Sequence, residues 1–84
     1  MLHLWGMNAA PQTLSHLRRL RGIQQKALAF DSGLGRTLLS KIENGRVNPS
    51  EDEVRRIAAG LSVTESEVLQ CLKAQGMRIW KKRP

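Results

Sequence analysis

A chain of 84 residues is enough for one small domain with a core of about ten side chains, and it leaves no room for a second domain or a deep substrate cavity. Fourteen Lys and Arg against seven Asp and Glu give a net charge of +7 and a pI near 10.9, which lies in the range of nucleic-acid-binding domains and favours a polyanionic partner. Cys71 is the only cysteine, so no intramolecular disulfide can form; a secreted scaffold of this size relies on several, and a reducing cytoplasm is expected.

Residues 1–10, MLHLWGMNAA, place Leu2 and Leu4 around His3 ahead of Trp5, the pattern of a very short strand or a loose arm. The apolar run Leu2 to Met7 is too short for a signal peptide or a membrane span. Pro11 suits the first position of a helix, where its missing amide costs nothing. Leu14, Leu17 and Leu20 then form the expected core-facing stripe of helix one, which Gly22 ends. Arg18, Arg19 and Arg21 are expected off that stripe, and Ile23 is expected to tuck into the core.

The stretch Gln24 to Gly45, QQKALAFDSGLGRTLLSKIENG, reads as two short helices joined by a glycine-bearing turn. Ala27, Leu28 and Ala29 stand among polar residues in the first, and Leu39 with Ile42 repeats the three-residue step of a helical face in the second. Gly33 falls where a left-handed residue ends a helix, Gly35 falls at the next N-cap, and Gly45 closes the second helix. Small Ala29 allows the two helices to approach closely. The exposed face of the second helix is then Arg36, Thr37, Ser40 and Lys41. Asn44-Gly45 is a hairpin signal, but RTLLSKIE has helical spacing and lacks strand alternation. Gly33-Leu34-Gly35 fails as a phosphate loop, because it follows a helix and lacks the remaining motif residues. Phe30 falls on the side of its helix that ought to be polar, where it either fills a gap under the N-terminal arm or marks a partner surface.

After the loop RVNPS, Ser50 and Glu53 form a capping box that opens helix four, and Thr64 and Glu67 form another that opens helix five. The acids Glu51, Asp52 and Glu53 sit at the positive end of the helix-four dipole, which explains them without a catalytic carboxylate pair. Val54, Ile57, Ala58 and Leu61 give the buried face of helix four; Val68, Leu69 and Leu72 give that of helix five, up to Gly76. Gly60 either ends helix four or permits close packing. The tail MRIWKKRP carries four cationic residues, and no acid follows Glu67. It is a basic arm, disordered or able to add a strand to a dimer partner or to residues 2–5. The expected organisation is an arm at 1–10, a five-helix domain at 11–75 and a basic tail at 76–84.

LRRLRGIQQKALAFDSGLGRTLLSKIENGRVNPS followed by VRRIAAGLSVTESEVL resembles the lambda-repressor-like family of phage repressors, Cro proteins and XRE-type regulators, over residues 12 to 70. The matching features are the leucines and Arg before Gly22, Gln25 opening helix two, Leu28-Ala29, Gly33 in the turn, Ser40-Lys41-Ile42-Glu43-Asn44-Gly45, and Asn48-Pro49-Ser50. Gly35 stands where the family often has serine, and Phe30-Asp31 replaces the usual polar pair.

The resemblance implies an all-α, compact lambda-repressor-like domain with its helix-turn-helix at helices two and three, and with helix three inserted in the major groove of double-stranded DNA. Arg36 has the planar fork to bond guanine O6 and N7. Thr37, Leu38, Ser40 and Lys41 are the further base-reading candidates. Gln25 resembles the family glutamine that bonds a phosphate and braces the first base-reading residue; Arg18, Asn44, Arg46 and Asn48 are the other phosphate candidates, which fix register and not sequence. Glu43 would repel phosphate, so pairing with an arginine is expected of it. The implied function is a homodimeric, sequence-specific regulator, a repressor on a palindromic operator, in the cytoplasm at the nucleoid. An antitoxin-like protein that holds a partner such as a toxin, using Phe30, Trp5, Ile79 and Trp80, is the alternative. No enzymatic activity, cofactor or catalytic residue is expected, and His3, His16 and Cys71 are too dispersed to suggest a metal site.

Overall fold

The computed structural model describes residues 13–77. The arm at residues 1–10, Pro11, and Ile79, Trp80 and the cations of the tail lie outside the described residues. Those described form five helices: α1 (Leu14–Leu20), α2 (Gln25–Ser32), α3 (Arg36–Glu43), α4 (Glu51–Leu61) and α5 (Glu65–Ala74). None is long and apolar enough to cross a membrane.

Local chemistry sets most of the boundaries. Thr13 caps α1 by accepting from the His16 amide at 3.3 Å, so this helix begins after Pro11 and not at it. Both capping boxes are formed: Ser50 Oγ accepts from the Glu53 amide at 3.2 Å while the Ser50 amide donates to Glu53 at 2.9 Å, and Thr64 and Glu67 repeat the exchange. Gly33 ends α2 in the left-handed conformation, as expected. Ser62 ends α4 in that conformation too, at φ 59°. Gly60 therefore does not terminate α4. It serves close packing, because a β-carbon there would stand 2.7 Å from Leu28 Cδ1.

The core takes Leu14 and Leu17 from α1, Leu28 and Ala29 from α2, Leu39 and Ile42 from α3, Val54, Ile57, Ala58 and Leu61 from α4, and Val68, Cys71 and Leu72 from α5. The α4 face is the one the spacing predicts, and Ile23 packs against the core from the loop after α1. Helix α2 packs on α3 and α4, α4 on α5, and α5 returns to α1.

Helix α1 corrects the sequence reading in two places. Leu20 is 58% exposed, whereas Arg18 turns inward and Arg21, itself exposed, reaches across to α4. At 3.6 residues per turn, Leu14, Leu17, Arg18 and Arg21 share a face, and Leu20 lies about a third of a turn away from Leu14. A strict three-residue step drifts off the helix face after two repeats. Arg21 Nε donates to the Leu61 carbonyl at 3.1 Å, at the C-terminal end of α4, where carbonyls lack intrahelical donors.

Gln75, which the sequence reading passed over, closes the other side. Its Nε2 donates to the Ile42 carbonyl at 3.1 Å and its Oε1 accepts from the Leu14 amide at 2.6 Å. One side chain thus satisfies a first-turn amide of α1 and a last-turn carbonyl of α3, fixing α3 against the scaffold.

Candidate nucleic-acid interface

Helices α2 and α3 meet through a turn that only glycine makes cheaply. Gly35, the N-cap of α3, has φ 81° and ψ 151°, a region closed to residues with a β-carbon. The glycine where the resembled family often has serine is therefore matched to its own backbone. With no side chain there, the first amides of α3 receive no side-chain cap, and α2 also starts without one at Gln24. Helices α1, α4 and α5, by contrast, are all side-chain capped. Neither α2 nor α3 has an acid in its first turn, so neither helix compensates the positive end of its dipole with a carboxylate of its own.

Along α3, the period of 3.6 sends Leu39 and Ile42 into the core and Arg36, Thr37, Ser40 and Lys41 outward. These four line an open concavity of about 390 Å³, together with Gln25 from α2 and Asn44 and Arg46 from the turn after α3. Three of its lining residues are cations and none is an acid. Asn44 Nδ2 lies 3.5 Å from Ser40 Oγ. Seven of the ten residues named from the sequence as DNA contacts thus come together in one groove.

Three are placed elsewhere. Leu38 is half-buried and packs against the core. Asn48 is exposed in the loop before α4 and does not line the concavity. Arg18, expected to reach phosphate, is spent inside the protein: Nε donates to Glu43 Oε2 at 2.8 Å, Nη2 to Glu43 Oε1 at 3.3 Å and Nη1 to the Ile23 carbonyl at 2.9 Å. Glu43 does pair with an arginine, as the sequence suggests, and its side chain is 4% exposed.

The Arg18–Glu43 pair extends into the groove. Gln25 Nε2 donates to Glu43 Oε1 at 3.1 Å, and Arg36 Nε donates to Gln25 Oε1 at 3.3 Å. A chain of hydrogen bonds therefore runs from α1 through the end of α3 and the start of α2 to the first residue of α3. Gln25 braces Arg36, as its position in the motif implies; that Glu43 in turn holds Gln25 is a tertiary contact with no signal in the spacing.

Beside the groove, a second shallow concavity of about 500 Å³ is lined by Lys26, Ala29, Phe30, Gly33, Gly35 and Arg36. Phe30 is 86% exposed, and the N-terminal arm that one of its two readings invokes lies outside the described residues. Among the described residues, no group of three or more His, Cys, Asp and Glu is placed to hold a metal ion.

A family model described as helix-turn-helix matches residues 14–68, from the start of α1 to within α5. Neither a curated protein nor a solved structure matches the chain.

Proposed function

We propose, for a chain that belongs to the XRE-type, lambda-repressor-like helix-turn-helix family of DNA-binding regulators, that it acts as a repressor by occupying a palindromic operator as a homodimer. Helix α3 enters the major groove, Arg36 reads guanine through its planar fork, and Thr37, Ser40 and Lys41 meet the base edges further along. Gln25, Asn44 and Arg46 hold phosphates, helped by the uncapped starts of α2 and α3, whose amides and dipoles favour anions. Leu38 and Asn48 have marginal parts, and Arg18 acts on the interface only from within the fold.

The observation that carries this reading is the convergence of Arg36, Thr37, Ser40 and Lys41 on one open groove with three cations and no carboxylate. Every other described acid except Asp31 and Glu43 lies in the first turn of α4 or α5, and Glu43 is neutralised inside. Occupying a promoter needs no further part, which favours repression over activation.

Selection of bound duplexes from a random pool at about 150 mM salt tests it, since unspecific basic binding weakens steeply as salt rises. Enrichment of a two-fold symmetric motif, with half-sites about one helical turn apart, is expected; the absence of any enriched motif overturns the proposal. The exposure of Phe30 favours a second reading, an antitoxin-like protein that holds a partner with DNA binding secondary. On that reading Phe30→Ser abolishes partner capture and leaves the duplex selection unchanged.

A further inference from the structure

A glutamine side chain has a polarity: its amine donates, its carbonyl accepts, and its neighbours decide which way it faces. A carboxylate only accepts. Glu43 Oε1 lies 3.1 Å from the Gln25 amide, so the donor end of Gln25 must face Glu43, and its acceptor end is left for Arg36 Nε at 3.3 Å. Glu43 itself has no freedom to turn away, because Arg18 holds both of its oxygens, at 2.8 and 3.3 Å.

From this geometry we infer that Glu43, which does not line the groove, is a positioning residue for base recognition: through Gln25 it dictates that position 36 carry a donor, and it aims the Arg36 guanidinium. Because the brace takes Arg36 by Nε, both terminal amines stay free for the paired acceptors of one guanine. The ion pair with Arg18 holds the carboxylate in place and neutralises it, so that it does not repel the DNA. The inference rests on the base-reading role proposed for Arg36.

Glu43→Gln tests it. A glutamine at position 43 fits the same space but offers one acceptor oxygen to the three donors Arg18 Nε, Arg18 Nη2 and Gln25 Nε2, so the fixed acceptor that sets the polarity of Gln25 is lost. Whenever Gln25 turns its own amine to Arg36, two donors face each other and the guanidinium loses its brace. On the duplex enriched by the unmodified chain, preference for guanine at the Arg36 base pair is expected to fall by about tenfold. The slope of log affinity against log salt should stay the same, because it counts cationic contacts with phosphate and both residues exchanged for one another lie outside that count.

The variant Arg18→Met/Glu43→Leu, which removes both buried charges at similar volume, is expected to show the same loss and serves if Glu43→Gln alone melts below the assay temperature. Circular dichroism establishes that each variant is folded. An unchanged guanine preference in a folded variant overturns the inference. If the unmodified chain shows no base preference at all, it is the base-reading proposal that fails, so the two failures are distinct.

Discussion

The Arg18 guanidinium and the Glu43 carboxylate form a two-bonded ion pair with 12% and 4% of their side chains exposed. Desolvating two charges costs much of what their attraction returns, so the pair adds little net stability, but removing one partner strands the other. Arg18→Ala is expected to lower the free energy of unfolding by about 3–5 kcal/mol. Arg18→Met/Glu43→Leu should cost far less or nothing, and urea denaturation of both variants measures the difference. Equal losses in the two variants would show that packing of α1, and not the stranded carboxylate, sets the cost.

Gln75 links the start of α1 to the end of α3 through the Leu14 amide and the Ile42 carbonyl. Gln75→Leu leaves both partly buried groups without that partner and should destabilise the fold by about 1–3 kcal/mol. Hydrogen exchange should quicken at the Leu14 amide, while the amides inside α4, which the substitution does not touch, keep their protection relative to global unfolding.

Gly60 and Gly35 are both required, for different reasons. Gly60→Ala gains about 1 kcal/mol of helix propensity but drives a methyl into Leu28 Cδ1, which must shift within the core; overpacking of this kind costs about 1–3 kcal/mol. The net expectation is a loss of about 1 kcal/mol, separating α2 from α4. Gly35→Ala meets open space yet is strained by its backbone, at about 1–3 kcal/mol. Thermal melts should show both variants destabilised, with DNA affinity reduced beyond the folded fraction only for Gly35→Ala, because only that residue sets the start of α3.

Cys71 is 2% exposed. Burial, with a smaller contribution from the Glu67 carboxylate, pushes its thiol from 9.0 up to about 11. The folded state therefore keeps its proton over the window in which the unfolded chain loses it. The Cys71 contribution is unchanged well below pH 9 and declines as pH rises from 9 toward 11, by about 1 kcal/mol at pH 10. Denaturation at pH 8 and pH 10 should show this loss in the unmodified chain and a smaller one in Cys71→Ala.

The parts of the structure that are local in sequence were legible there. The capping boxes at Ser50 and Thr64, the left-handed Gly33, the buried face of α4 and the outward face of α3 all follow from residue type and spacing within one or two turns. The departures have a common physical origin. Arg18 read as a surface residue because arginine is seldom inside; what draws it in is Glu43, supplied by an element far along the chain. Gln75 carries no motif, since its role depends on two helix ends meeting in space. Gly35 looked like a weakened cap, and its backbone dihedrals show why a capping side chain is absent. In the groove itself, α3 fixed which residues face outward, while Leu38 needed the neighbouring core to show that it packs inward.

Arg36 carries the functional proposal, and the most direct test compares two duplexes on two proteins. The enriched operator and a version with the guanine at the proposed Arg36 contact replaced are titrated, at about 150 mM salt, with the unmodified chain and with Arg36→Ala. The unmodified chain is predicted to prefer the guanine by about 1–3 kcal/mol, and Arg36→Ala is predicted to bind both duplexes equally, with the other positions of the motif intact. An unchanged preference in Arg36→Ala would contradict the assignment of α3 as the base-reading helix through its first residue.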